Sequence, residues 1–371
     1  MSGLRLRDRA FCPTTVQYID KNWKTCTHTL STALIEERPS AENIALILQM
    51  VHDDWDISNK ANFIVHDNAN VMKAAVRLLK EGDDVNCSAH TLQLCVKDAF
   101  KNVEDYEIVA IKCRRIISHF HQSNVATSAL NKKQLQLGLK EERLVQSCTT
   151  RWDSIYFMCD TLHRNRSAVI AVLSDKSYTN SSTALNLEIS EHGWGIMEEL
   201  TTILKPLHIA TKVLCSETKS TISAVRSVVK TLIDNHYSPK RTFVKEKILG
   251  MCSETATEEE PGGSSHDQYL EFLFATEGQV LDNTSQFEQF IAEPKISNRL
   301  DPLAWWRSRE RAMPVMATLA KKYLAVSATS ASSERLFSTA AGNIVTANRS
   351  CLAPENVSLL VFLNKNEDLL D

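Results

Sequence analysis

Asp67 is the acid whose surroundings say most about chemistry. It closes the apolar run Phe63, Ile64, Val65 in NFIVHD, and a helical pattern starts directly behind it. A strand apolar on both faces suits the covered interior of a parallel sheet, and open α/β sheets place ligands at the carboxyl ends of such strands. An acid there can hold a divalent metal while the sheet fixes its backbone; it can equally cap the following helix. Cys87 and His90, in CSAH, have a spacing that two zinc ligands could use, but no second pair accompanies them. Packing inside a sheet–helix junction explains them as structural residues. Arg151 and Trp152 join a guanidinium to a broad aromatic face, which suits stacking on a nucleobase beside a phosphate; a tryptophan at a helix start or in a core is the plainer reading. Trp305 and Trp306 precede Arg307, Arg309 and Arg311, an amphipathic start that buries against the chain's own sheet or a second subunit. Glu334, in SSERLFS, is by itself a first-turn helix acid favourable to the dipole.

Elements that would carry these residues follow from periodicity. TTVQYID and THTLSTALI are β-branched runs joined across the polar DKNWK, as in a hairpin. Pro39 and Ser40 open a helix whose stripe is Ile44, Ile47, Leu48, Val51 and Trp55. After NFIVHD a second helix begins near Asn68 and carries Val71, Ala74, Ala75, Leu78 and Leu79. Strand-like VNCSAH and helix TLQLCVKDAF come next, giving an α/β sheet with mixed pairing. From about residue 105 helical stripes take over, beginning with Val109, Cys113, Ile116, Ile117 and Phe120. The acidic stretch 252–267 has no apolar period and reads as a flexible connection. DPLAWWRSRERAMPVMATLAKKYLAV is one helix candidate. Beyond it, Leu336, Phe337, Leu360 and Phe362 give the last stretch more apolar surface than a short terminus needs.

The chain has 371 residues, 43% hydrophobic and 23% charged, with ten glycines and nine prolines. Such a composition builds a packed core, not a disordered or collagen-like chain. Lys and Arg number 42 against 45 Asp and Glu, a net charge of −3. A freely basic DNA-coating protein is thereby excluded, and any nucleic-acid contact must come from a local patch. No apolar run approaches a membrane span or a signal peptide, so neither a membrane nor secretion is expected. The ten cysteines are scattered with no CxxC pair, which reads as reduced thiols.

HDNAN after an apolar strand, CSAHTLQL, CTTRWDS and ATSASSERLFSTAAGNIVTANRSCLAPENVSLLVFL occur together and in this order. In this the sequence closely resembles the hAT superfamily of DNA transposases, particularly the transposase-derived zinc finger BED domain-containing proteins. The resemblance covers roughly residues 15–160 well and 300–366 very well. It implies an α/β, RNase H-like mixed sheet interrupted by a largely helical insertion, with a C-terminal dimerisation region returning to the sheet. The implied organisation is 1–104 for the first part of the RNase H-like domain, its first strand truncated, and 105–251 for the insertion. Residues 252–267 then form the acidic linker, and 268–371 the rest of the domain with the dimerisation region.

By the same resemblance Asp67 matches the family's second catalytic aspartate and Glu334 its glutamate, a pair that binds Mg²⁺ for strand cleavage. The first aspartate, in a TTDxWTS-like segment upstream of TVQYID, falls at Met1, and Asp8 matches no part of that motif. The site is therefore expected to be vestigial and the protein not an enzyme. Trp152 with Arg151 matches the family's base-stacking pair, so DNA is an expected partner. Trp305, Trp306, Leu336, Phe337, Leu360 and Phe362 fall in the dimerisation region and imply a homodimer. No paired cysteines and histidines of a BED finger occur in the sequence, so Zn²⁺ is expected only with such a finger upstream. The resemblance points to the nucleus, a regulatory DNA-binding role and no small-molecule substrate. Two other readings are an active Mg²⁺-dependent transposase and a protein–protein interaction module without DNA affinity.

Overall fold

A computed structural model describes residues 4–6, 9–35, 38–101, 104–148, 153–236, 280–294, 300–336 and 353–367. Arg151, Trp152, Phe337 and the acidic stretch 252–267 lie outside them. The fold is mixed α/β, with small sheets and many helices. The strands are β1 (Leu4–Leu6), β2 (Arg9–Ile19), β3 (Thr25–Ile35), β4 (Phe63–His66) and β5 (Asp83–Asn86). The early helices are α1 (Ala41–Asp54), α2 (Asn70–Leu79), α3 (Ser88–Phe100), α4 (Glu104–Gln122) and α5 (Asn124–Gln136). Then come α6 (Asp153–Arg164), α7 (Arg166–Ser174), α8 (Ser181–Leu187), α9 (Glu191–Leu214) and α10 (Val225–Thr231). The last described helices are α11 (Val280–Ala292), α12 (Pro302–Arg309), α13 (Pro314–Leu324), α14 (Ala331–Arg335) and α15 (Pro354–Lys365). None of the described helices is long and apolar enough to cross a membrane. The described residues of 1–91, 212–229 and 253–371 form one compact unit, and those of 92–211 and 230–252 a second.

In the first unit β1, β2 and β3 make an antiparallel sheet in that order, with a register shift between Thr14 and Thr15. β4 and β5 pair in parallel, Phe63 opposite Asp83 and His66 opposite Asn86. The expected single mixed sheet is thus two sheets among the described strands, because β4 bonds to β5 and to no strand of the hairpin. Phe63, Ile64 and Val65 are half-buried and not fully covered, while His66 behind them is buried. Helix α1 forms where its cap and stripe dictate: the Ser40 hydroxyl accepts the Asn43 N–H at 3.2 Å, and Ile44, Leu48 and Val51 face inward. Ile44 and Leu48 share a core with Met72, Ala75 and Leu79 of α2. Gly82 turns the chain into β5 at φ +73°, where a Cβ would lie 3.2 Å from the Ala61 carbonyl oxygen.

Two boundaries differ from the sequence reading. The strand expected at VNCSAH ends at Asn86, and Cys87 already starts α3: its carbonyl accepts the Thr91 N–H at 2.9 Å. The single helix expected from Asp301 onward breaks into α12 and α13 at Pro314, which has no N–H to give and begins the second helix. Asp301 caps α12 through the Leu303 N–H at 3.1 Å.

The described residues of the second unit form helices and their connections, with no strand among them. Cys113, Ile116, Ile117 and Phe120 of α4 meet Met158 and Leu162 of α6, Val169 of α7 and Met197 of α9, each at most 1% exposed. A buried polar chain crosses this unit: Gln134 Nε2 donates to Asn165 Oδ1 at 2.8 Å, and Asn165 Nδ2 donates to Glu142 Oε1 at 3.0 Å.

Candidate functional site

The carboxyl ends of β4 and β5 are where the candidate residues gather. The Cys87 N–H bonds the His66 carbonyl at 2.8 Å, so Asp67 and Cys87 leave the sheet side by side. Asp67 Oδ1 accepts the Ala69 N–H at 3.3 Å, which is the geometry of a residue capping the entry to α2. Asn68 Nδ2 donates to Thr91 Oγ1 at 2.8 Å, and Thr91 Oγ1 donates to the Cys87 carbonyl at 3.0 Å. His66 is 3% exposed, with Nε2 2.7 Å from Asp84 Oδ1 on the neighbouring strand.

A segment from the far end of the sequence closes over these strand ends. The Ser88 N–H bonds the Ala328 carbonyl at 2.9 Å, the Ser330 N–H points at Cys87 Sγ at 3.4 Å, and the Ala328 N–H bonds Thr221 Oγ1 at 2.9 Å. Thr15 of β2 meets the Ser333 hydroxyl at 2.9 Å. Ser330 Oγ in turn donates to Glu334 Oε1 at 3.0 Å, one helical turn along α14. Asp67 and Glu334 therefore sit on segments that meet at Cys87, linked through His66, Cys87 and Ser330. Arg335 beside Glu334 pairs with Glu217 at 2.8 Å. Cys215, in the same neighbourhood, has its thiol pushed up by burial, with a Thr329 hydrogen bond opposing the shift.

No three His, Cys, Asp or Glu side chains among the described residues are grouped to hold an ion. Asp67 Oδ1 and Glu334 Oε1 each accept a hydrogen bond from the protein. Cys87, 2% exposed, accepts from Ser330 and from the His90 N–H at 3.5 Å, a place in the junction between strand and helix.

Trp305 and Trp306 lie in the first unit at the tip of the hairpin. Trp306 is 8% exposed and joins Trp23, Leu303, Met313, Met316 and Ala317 in one core. Arg309 spreads over the Trp305 ring at 4.1 Å while pairing with Glu293 at 3.1 Å. Leu336 is buried at 3%, whereas Leu360 is 38% exposed and the Phe362 ring lies 6.0 Å from Trp55. Sequence reasoning missed Trp23, whose indole N–H donates to Glu310 Oε2 at 2.9 Å while Lys321 Nζ lies 4.5 Å above the ring. Its signal was available: a large aromatic in an otherwise polar turn has a partner. Asn366 was missed as well. Its Nδ2 donates to the Thr29 carbonyl at 2.8 Å and its Oδ1 accepts the Thr29 N–H at 3.1 Å, both on the free edge of β3.

One acid thus leaves the ends of the parallel pair β4–β5, and a second lies on the C-terminal segment that returns to them. Three family descriptions match in chain order: "ZBED1 RNase-like domain" over residues 7–92, "ZBED1 RNase-like helical domain" over 85–203 and "hAT family C-terminal dimerisation region" over 284–367. The chain belongs to the hAT superfamily of transposase-derived proteins. It is 21% identical to human Zinc finger BED domain-containing protein 4 over 93% of this chain and 34% of that protein. It is 24% identical to the Transposable element Hobo transposase of Drosophila melanogaster over 45% of this chain and 24% of that one. A third relative, the Putative AC transposase of Zea mays, is 29% identical over 26% of this chain and 12% of its own length. The chain spans about a third or less of the curated relatives it matches. No BED finger is detected within its residues.

Proposed function

We propose that this chain is a domesticated hAT transposase-like protein that pairs with a second copy, contacts DNA in the nucleus in a regulatory role and does not cleave it. The observation that carries the reading is the return of the matched C-terminal region to the ends of β4 and β5, through Ser330 and Cys87. That docking puts the dimerisation region and the RNase-like strands in one folded unit, so assembly depends on the core that carries β4 and β5. In the structure both matching acids accept protein hydrogen bonds, Asp67 from the Ala69 N–H and Glu334 from the Ser330 hydroxyl. DNA contact is supported by the transposase relatives and by Arg151 beside Trp152, a pair suited to phosphate and base.

Binding of the full chain to duplex DNA, measured from low to high salt, tests the reading. Affinity should fall steeply as salt rises, and Arg151→Ala with Trp152→Ala should weaken it at every salt. Absence of binding at low salt would leave a protein–protein interaction module. A strand-cleavage assay with Mg²⁺ should show no turnover; turnover that disappears in Asp67→Asn and Glu334→Gln would establish an active enzyme instead.

A further inference from the structure

Residues 112–151 carry eight Lys and Arg against two Asp and Glu, a balance of +6 within a chain whose net charge is −3. Their described part is the second half of α4, all of α5 and an arm without regular structure, 137–148, within the second unit. Side-chain bonds fasten the arm across both helices. Gln134 Nε2 donates to the Glu142 carbonyl at 2.9 Å, His121 Nε2 to the Leu144 carbonyl at 2.8 Å and Gln146 Nε2 to the Arg114 carbonyl at 3.2 Å. At its far end Arg114 Nε donates to Ser147 Oγ at 3.0 Å, and the Ser154 hydroxyl bonds both the N–H and the carbonyl of Cys148, each at 2.8 Å. The two acids are turned to the protein. Glu141 accepts from Asn131 Nδ2 at 3.0 Å; Glu142 accepts from Asn165 Nδ2 at 3.0 Å and pairs with Arg164 at 3.1 Å. Arg115, Lys132, Lys140 and Arg143 are exposed, and among the described residues no carboxylate pairs with any of them.

We infer that the α4–α5 face with its arm is a phosphate-holding surface for duplex DNA, one that grips the backbone without reading sequence. The inference rests on the DNA-contact reading above and adds residues that Arg151 and Trp152 leave out. Free cations on one unit are the electrostatic footprint of a polyanion partner, and a chain acidic overall can bind one only through such a local excess. Three features favour DNA over an acidic protein. The arm runs on in the sequence into Arg151, three residues past Cys148, so the cations adjoin the pair suited to a base. Neutral donors stand between the charges: Gln122, Asn124 and Ser128 are exposed, and amides and hydroxyls bond phosphate oxygens beside Arg and Lys. The arm is pinned at both ends and at its middle, so its cations lie in a fixed line and little ordering remains on binding.

Fluorescence anisotropy of the full chain on two duplexes of unrelated sequence, across a salt series, tests the surface. Arg115→Gln with Arg143→Gln should weaken binding about 10-fold or more at low salt, equally on both duplexes, and reduce the salt slope by about 2, one for each lost phosphate contact. Lys97→Gln with Lys205→Gln removes the same charge from exposed positions of the same unit and should leave affinity within about 2-fold. Arg115→Lys with Arg143→Lys keeps the charge and should keep the slope, which separates lost contact from lost fold. Equal losses in the two glutamine pairs would reduce the effect to net charge and overturn the surface. An undiminished Arg115/Arg143 glutamine pair overturns it too, while leaving DNA contact through Arg151 and Trp152 standing. A parent chain that binds polyglutamate but no duplex at low salt overturns both and gives the face to an acidic protein.

Discussion

The backbone N–H of Ser330 lies 3.4 Å from the sulfur of Cys87, 243 positions away in the sequence. The partner bond runs the other way, from the Ser88 N–H to the Ala328 carbonyl. The first N–H groups of α3 have no intrahelical acceptor, so a distant carbonyl completes the helix start. A thiol is a weak acceptor. Cys87 contributes as much by filling the buried junction as by bonding.

Cys87→Ala should accordingly destabilise the first unit by about 2 kcal/mol, from the removed sulfur and the Ser330 N–H left without its partner. Chemical denaturation followed by intrinsic fluorescence measures it. The same substitution at Cys26, which is only half-buried in β3, should cost clearly less.

Local physics made the hairpin, α1 and β4 legible: β-branched runs around a polar turn, a serine before an amphipathic stripe, an unbroken apolar triplet. The meeting of Ser330 with Cys87 was not legible in this way, because backbone atoms make it and backbone atoms leave no residue signature. Only the resemblance to transposases joined Asp67 to Glu334. CSAH shows the complementary failure. Its β-like neighbours Val85 and Asn86 carried the strand reading past Cys87, where a carbonyl already serves a helix. Pro314 was visible as a helix breaker in the long Trp305–Leu324 stretch, and apolar periodicity masked it. Asn366 had no pattern at all, since a cap on a sheet edge depends on where the edge lies.

Trp23 should be the most costly single residue in the hairpin tip. It is 4% exposed, sits at φ +62° and ties β2–β3 to α13 through Glu310 and Lys321. Trp23→Ala should cost about 3–5 kcal/mol, as large aromatic truncations do. Trp23→Phe keeps most of the apolar burial and loses the indole N–H, so it should cost about 1–2 kcal/mol. Thermal and urea unfolding of the two variants would separate packing from the hydrogen bond; equal losses would show that the bond to Glu310 dominates.

Glu310 gives the same latch a pH dependence. Its carboxyl is held below the usual glutamate range, first by the Lys321 hydrogen bond and then by the Trp23 N–H. A lowered folded value means that the stabilisation is present above the ordinary glutamate range and drains as pH falls through the folded one. The urea midpoint of the parent should thus drop below about pH 4.5. Glu310→Gln should lower the midpoint at neutral pH and flatten its acid dependence. Asp20, lowered by backbone N–H groups of Lys24 and Asn22, adds to the acid slope and survives in that variant. The flattening is therefore partial.

Asn366 separates edge protection from assembly. Its amide is 2% exposed and satisfies both backbone groups of Thr29 on the outer strand of the sheet. Asn366→Ala leaves one buried donor and one buried acceptor open, a loss of about 2–4 kcal/mol. Asn366→Asp keeps the acceptor for the Thr29 N–H but sets a carboxylate against the Thr29 carbonyl, so it should be at least as damaging at neutral pH and partly recover when the acid is protonated. Hydrogen exchange at Thr29 reads the edge directly and should quicken in both variants. With α15 loosened from β3, the matched C-terminal dimerisation region also loses part of its fixed fold. Self-association should then weaken even though every other residue of that region is untouched. Fast exchange at Thr29 with undiminished dimerisation would show instead that the region assembles independently of the sheet.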